Sequence, residues 1–190
     1  MLRLLLGLAV FLGGHSISVV APAWRDRMAA RLGVNAWRGL YSLFAALGLY
    51  LLVTGFAAAR AATVVLYVPP AWLHWLAVVL MVPVLPMLLA AYLPGRIRGA
   101  LRHPMLVAIK TWALAHLLAN GMLADVLLFG GFLAWAVAVR ISLKRRPARP
   151  VPSAPAGRYN DLIAVAAGLA LYAALLAGLH ARLFGVAPLP

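Results

Sequence analysis

The sequence predicts an all-α membrane protein, a bundle of about six transmembrane helices. Of its 190 residues, 66% are hydrophobic, and the mean hydropathy is +0.99. A soluble domain of this size exposes too much surface to hide so large an apolar fraction. The apolar runs lack the alternating pattern of a membrane barrel. Helices are therefore expected, because they satisfy their own backbone hydrogen bonds in lipid.

Six apolar stretches mark the predicted helices. Most have about the ~20 residues that cross a bilayer, and the fourth is shorter. They are Leu2–Val20, Arg38–Ala58, Trp72–Tyr92, Pro104–Leu118, Leu123–Leu143 and Leu162–Phe184. In the third, Pro83 and Pro86 each remove a backbone hydrogen bond and predict a kink.

The first stretch has the features of a cleavable signal peptide, namely Arg3, an apolar run and small residues at 21–23. Three arginines follow at once, Arg25, Arg27 and Arg31, and such charges resist export. We therefore expect this stretch to remain in the protein as its first helix.

The distribution of arginine and lysine predicts the orientation. Predicted loops one, three and five hold Arg25, Arg27, Arg31, Arg38, Arg96, Arg98, Arg102, Lys144, Arg145, Arg146, Arg149 and Arg158. The opposite side holds only Arg3, Arg60 and Arg182. Because positive loops face the cytoplasm, both termini are expected in the periplasm. These loops also explain the net charge of +14, so no nucleic-acid partner is expected.

A basic, proline-rich stretch, RRPARPVPSAPAGR at residues 145–158, interrupts the apolar pattern near the C-terminus. Such a composition is typical of a solvated, flexible linker. The predicted organisation is a five-helix membrane core at residues 1–143, a cytoplasmic linker at 144–161, and a sixth helix with a C-terminal tail at 162–190.

Several kinds of chemistry are excluded by composition. Cysteine is absent, so disulfides, thiolate metal sites and cysteine nucleophiles are impossible. The three acidic residues are scattered, and there is neither an HExxH motif nor a glycine-rich phosphate loop. The sequence has no clear internal repeat, which makes a secondary transporter a less favoured class. The polar groups inside apolar runs are therefore the candidates for function.

His15 lies in GGHSIS, residues 13–18, inside the first helix. Gly7, Gly14 and Ser18 share one helical face, a spacing that lets helices approach closely. His15 flanks this face, so its ring is expected in or beside a helix contact. Two roles stay open, a neutral imidazole bonded to a neighbouring carbonyl and a functional ligand.

The fourth helix carries two polar stripes. His103 and Lys110, seven residues apart, are nearly aligned, whereas Trp112, His116 and Asn120 are spaced by four. Imidazole is a common ligand of haem iron, and the second stripe sets an aromatic ring and an amide beside one. The alternatives are core packing for Trp112 and a helix C-terminal cap for Asn120.

Lys110 lies in mid-helix with no acidic residue one turn away. It could reach Asp125, be neutral, or meet an anionic group of a bound ligand, such as a haem propionate. Snorkelling to the membrane surface is less favourable from mid-helix than from a helix end.

Seven short motifs resemble the NnrU family. They are GHS at 14–16, GLYSL at 39–43, PPAWL at 69–73, PG at 94–95, RHPML at 102–106, WALAHLLANG at 112–121 and LLFGGFLAWA at 127–136. The resemblance covers roughly residues 1–145 and preserves the motif order. This family consists of bacterial inner-membrane proteins linked to nitrite and nitric oxide metabolism, and it is related to zeta-carotene isomerase.

The resemblance implies haem b bound by histidines. Carried over by motif, the ligands are His15 and His116, with His103 as the competing ligand because its predicted depth matches that of His15 better. Lys110, Trp112 and Asn120 would then be nearby partners of the cofactor. The isomerase relatives also have a cysteine near the second histidine, where this chain has an alanine, Ala113.

Three functions are consistent with these observations. The first is a haem b-binding protein of the inner membrane that senses or handles nitric oxide in denitrification. The second is a haem-dependent cis–trans isomerase of a polyene such as zeta-carotene. The third is a non-catalytic assembly partner of respiratory nitrogen-oxide reductases. Whether any reaction is catalysed stays open.

Overall fold

A computed structural model describes residues 1–62, 64–145 and 152–189. The predicted all-α class is confirmed, because five helical segments are long and apolar enough to cross a membrane, and a sixth, Pro104–Ala119, is shorter. Within the described ranges no β-strand is present, and the β-type pairing seen there is an isolated bridge between Val65 and Met122. The chain forms two compact units, which are described in turn.

Unit 1 comprises residues 1–67 and 122–145. Its helices are α1 (Leu2–Val20), α2 (Pro22–Leu32), α3 (Val34–Ala61) and α8 (Leu123–Ser142). Three of them match predicted spans, but α2 lies in the predicted first loop. Its charged sequence, with no buried residue, lacks the long apolar run from which spans were predicted.

Helices α1 and α3 pack closely through glycine. A Cβ atom on Gly7 would lie 2.6 Å from the backbone nitrogen of Leu52, and one on Gly48 would lie 2.8 Å from that of Phe11. The predicted small-residue contact is thus confirmed at Gly7. It is wrong at Gly14, where a Cβ would meet no described atom within 4 Å. The reason is that Gly14 borders a cavity, whose wall also includes residues of α2 and α3.

Unit 2 comprises residues 68–121 and the described part of 146–190. Its helices are α4 (Ala71–Met81), α5 (Val84–Ala90), α6 (Arg96–Leu101), α7 (Pro104–Ala119), α9 (Asn160–Ala174) and α10 (His180–Phe184), with a π-helical turn, Leu175–Leu179, between the last two. The predicted kink is confirmed, because α4 ends and α5 begins around Pro83. The proline ring cannot continue the helical hydrogen bonding.

The last span packs directly on the third. Gly168 of α9 lies against the backbone of Pro86, and the Tyr172 hydroxyl donates to the Val78 carbonyl at 2.6 Å. At the other end of α9, the Asp161 carboxylate accepts from the amides of Arg96 and Ile97, at 2.7 and 3.1 Å. This side chain caps α6 from a distant part of the chain, and Gly95 leaves the space for it.

Residues 146–151 of the predicted linker lie outside the described residues. Residues 152–158 are exposed, and within them the Ala154 amide donates to the Tyr92 carbonyl at 2.9 Å. The predicted domain boundaries and the periplasmic placement of both termini stay predictions.

Candidate functional site

His15 lies among aromatic rings from three helices of unit 1. Its ring centroid is 4.3 Å from that of Phe11 on α1, 5.4 Å from Tyr41 on α3 and 6.1 Å from Trp135 on α8. Trp135 meets the imidazole edge-on, with an interplanar angle of 88°. Packing on three sides restricts the rotation of the imidazole, so its nitrogens point in defined directions.

The hydrogen bonds around His15 fix its tautomer. Nδ1 lies 2.7 Å from the Phe11 carbonyl, and since a carbonyl only accepts, Nδ1 carries the proton. In the neutral ring, Nε2 then holds the lone pair. This is the arrangement of a metal-ligating histidine, whose second nitrogen usually donates to a carbonyl or carboxylate. The carbonyl-bonded role and the ligand role of His15 are therefore compatible.

Ser16 connects this region to α8. Its hydroxyl donates to the Leu12 carbonyl at 2.6 Å and accepts from Trp135 Nε1 at 3.1 Å. The serine thus satisfies the indole nitrogen inside the bundle and holds the Trp135 ring against His15.

A cavity of about 140 Å³ lies beside His15 and is lined by residues of α1, α2 and α3. Its wall combines apolar, aromatic and cationic groups, including His15, Ser18, Arg25, Trp37, Arg38 and Tyr41. Trp37 is buried, whereas Arg38 is exposed. Two guanidinium groups next to an imidazole make this cavity electropositive.

His116, in unit 2, repeats the local geometry of His15. Its Nδ1 donates to the Trp112 carbonyl at 2.8 Å, and the two rings are 5.2 Å apart. The Asn120 amide donates to the His116 carbonyl at 2.9 Å, at the residue where α7 ends. Asn120 is therefore the C-terminal cap of α7, the alternative role that the sequence offered for it. Its proposed contact with a cofactor stays a prediction.

The profile of the NnrU family, described as NnrU protein, matches residues 3–188. The chain belongs to the NnrU family. The short motifs lie within residues 1–145, but the family match continues through the C-terminal span. Comparisons with curated proteins and with solved structures find no match.

Three of the NnrU-like motifs meet around His15. GHS contributes His15 and Ser16, GLYSL contributes Tyr41, and LLFGGFLAWA contributes Trp135. The spacing of residues in the sequence did not identify Ser16, Tyr41 or Trp135 as candidate site residues. The signal that could have found them is the motifs themselves, since each contains at least one hydrogen-bonding aromatic or hydroxyl side chain inside an apolar run.

The other predicted residues also lie in unit 2. His103 caps the start of α7, where its carbonyl accepts from the amides of Leu106 and Val107 at 3.1 and 3.2 Å. Arg102, just before it, has φ +59°, a value that non-glycine residues rarely adopt. Lys110 is half-buried in the middle of α7. Pairing of His15 with His103 or with His116 stays a prediction.

Unit 1 contains an ion pair between an arginine and a buried aspartate, which the sequence did not predict. Asp125 is fully buried, accepts from the Met122 amide at 3.2 Å, and lies 3.6 Å from an Arg60 guanidinium nitrogen. Arg60 is therefore an ion-pair partner of Asp125. From the sequence, contact with Asp125 was one of the alternatives considered for Lys110. Burial, and then the charge of Asp125, raise the pKa of nearby Tyr67.

Within the part of the chain that the structure describes, no three His or acidic side chains converge to hold a bare metal ion. A porphyrin brings four nitrogen ligands of its own, so its iron needs only one or two from the protein. The donor set therefore fits haem iron better than a bare cation.

Proposed function

We propose that this NnrU-family membrane protein binds haem b, which His15 and His116 would hold through their imidazoles, and senses or handles nitric oxide. The observation that carries the proposal is the His15 imidazole, which is held by the Phe11 carbonyl through Nδ1 and borders an electropositive cavity. His116 has the same Nδ1 arrangement with Trp112. Haem supplies an iron that binds nitric oxide when a coordination position is open.

The cavity accommodates part of such a cofactor. At about 140 Å³ it is smaller than the ~300–1,000 Å³ of usual ligand pockets. A porphyrin seated at His15 would therefore extend past the cavity, with one edge inside it. Trp37 and Tyr41 in the cavity wall would provide the apolar contacts that a flat macrocycle requires.

The protein's own part is to orient the ligand and exclude water. The Nδ1–H bond to the carbonyl keeps the lone pair on Nε2, the nitrogen that would bind iron. The surrounding aromatic side chains limit water around His15 and keep the imidazole in one orientation.

The ligand assignment is tested by a pyridine haemochrome assay on purified wild type and on His15→Ala and His116→Ala variants. Both variants should lose most of their haem, whereas His180→Ala should retain it, because His180 lies outside the seven motifs that supply the proposed ligands. His103→Ala tests the competing ligand. Full haem retention in both principal variants would eliminate the pair.

A second variant separates ligation from folding. His15→Gly leaves space for imidazole added to the buffer, which should restore haem binding if the lost group was a ligand. A variant that had merely failed to fold would not respond to imidazole.

Isomerisation of a polyene is the second candidate function. Unit 2 has a cavity of about 350 Å³ around the proline kink, with apolar lining residues that include Pro83, Pro86, Met87 and Leu169. This volume lies in the range of ligand pockets, and its wall suits a hydrocarbon chain. Expression in cells that accumulate a cis-carotene tests this function, and unchanged pigment isomers would count against it.

A further inference from the structure

We infer that Arg25 and Arg38 form the anion-binding end of the His15 cavity and take the propionate carboxylates of the haem. This inference rests on the proposed function and assigns residues to one edge of the cofactor. It concerns two arginines that the positive-inside pattern explains only as loop charges.

The two arginines come from different helices and reach one cavity. Arg25 belongs to the first turn of α2, and Arg38 lies near the start of α3, one turn before Tyr41. Among the described residues, the wall of this cavity carries no carboxylate. A guanidinium donates two parallel N–H groups to a carboxylate, which makes arginine the favoured partner for such an anion.

The positions of His15 and of the two arginines are consistent with a haem whose iron is at His15 and whose propionates are at the arginines. His15 lies five residues before the end of α1, about 8 Å along its axis. Iron at His15 would therefore lie within the apolar part of α1, whereas the two arginines of the cavity wall lie near the starts of α2 and α3. Carboxylates buried in lipid without a cation are costly, so the anionic edge of haem requires positive groups at this end.

Packing of α2 on α3 positions Arg25. The Trp24 and Trp37 rings meet edge-on, with centroids 5.9 Å apart, and the Arg25 guanidinium carbon lies 6.0 Å from the centroid of Trp37. Arg25 also pairs with Asp26 at 3.0 Å, but the two side chains are 31% and 54% exposed. An exposed pair of this kind is weak, so a carboxylate ligand can replace it.

Two ligands that differ only at the two carboxyl groups test the inference. Haem and its dimethyl ester have the same iron and ring, but the ester lacks the two carboxylates. Wild type should bind haem about 10-fold or more tightly than the ester, as expected from charged hydrogen bonds. Arg25→Gln/Arg38→Gln should remove this preference and leave ester binding unchanged. Equal wild-type affinity for both ligands, or an unchanged preference in the double variant, would overturn the inference.

Matched controls come from the same helix. Arg27→Gln and Arg31→Gln remove exposed charges of α2 that are outside the cavity wall, and they should keep the preference for haem. Lys110→Gln tests the residue that the sequence placed near a propionate. Loss of the preference in this variant, with the arginine double variant unaffected, would assign the carboxylates to Lys110 and overturn the inference.

A phospholipid headgroup could use the same arginines, and a phosphorus assay on the purified protein distinguishes it. Loss of bound phospholipid in the double variant, with haem preference unchanged, would assign the arginines to lipid and overturn the inference. A wild type that binds neither haem nor its ester refutes the proposed function itself, and the inference with it. Haem binding without a carboxylate preference refutes the inference alone.

Discussion

Several polar side chains inside this protein are held by backbone groups one turn away or by an opposite charge. His15 and His116 donate to carbonyls four residues before them, and Asp125 pairs with Arg60. An unsatisfied polar group inside a membrane bundle is costly, so each of these contacts removes a penalty. The same contact that satisfies a histidine also leaves its Nε2 suited to bind iron.

The Asp125–Arg60 pair should contribute measurably to stability. Asp125→Asn leaves a partly buried guanidinium without its counter-charge, and we expect the free energy of unfolding to fall by about 1–3 kcal/mol. Chemical unfolding in detergent measures this change. The matched control is Asp26→Asn at the exposed pair with Arg25, which should change stability by less than about 1 kcal/mol. Equal effects of the two substitutions would show that burial of Asp125 is unimportant.

Spacing could predict part of the candidate site. The Trp112–His116–Asn120 stripe is visible because i, i+4 neighbours share a helical face, and the structure shows its contacts. The partner of Asp125 could not be predicted in this way. Arg60 is 65 positions earlier in the sequence, and which of several cations meets a buried acid depends on packing between helices.

At the scale of helices, glycine determines how closely α1 and α3 approach. Gly7→Ala would place a methyl group against the backbone of Leu52, and we expect a loss of about 1–3 kcal/mol from overpacking. Gly13→Ala on the same helix is the control, since its Cβ would meet no described atom within 4 Å. It should leave stability unchanged or slightly higher because alanine favours a helix. A comparable loss in both variants would contradict the close contact at Gly7.

The helices that the sequence failed to predict are the short ones. The spans were predicted to within a few residues because a long apolar run has few alternatives in lipid. Helices α2 and α6, in contrast, consist of 11 and 6 residues and carry several arginines. They depend on tertiary contacts, such as Trp24 with Trp37 and Asp161 with the start of α6, which no local pattern displays.

For the whole molecule, the charge distribution predicts the orientation in the membrane. The chain has no cysteine, so a single introduced thiol reports one position cleanly. In cells with a permeable outer membrane, an impermeant maleimide should label Leu66→Cys and leave Ser153→Cys unlabelled until the inner membrane is opened. Both positions are exposed in the structure. Labelling of Ser153→Cys in intact inner membranes would reverse the predicted orientation.

The grouping of the chain into two compact units was not predicted. Residues 122–145 join the N-terminal helices, although 54 residues of unit 2 precede them. Hydropathy identifies which segments enter the membrane but not which ones pack together, because lipid satisfies any apolar face equally well. In unit 1, this association brings Trp135 of α8 to His15 of α1.

The absorption spectrum of the wild-type protein, purified in detergent from haem-sufficient cells, tests haem ligation most directly. Ligation by histidine predicts a Soret band that copurifies with the protein and shifts when the iron is reduced and exposed to nitric oxide. A colourless preparation that stays colourless after haem is added would contradict the proposed function.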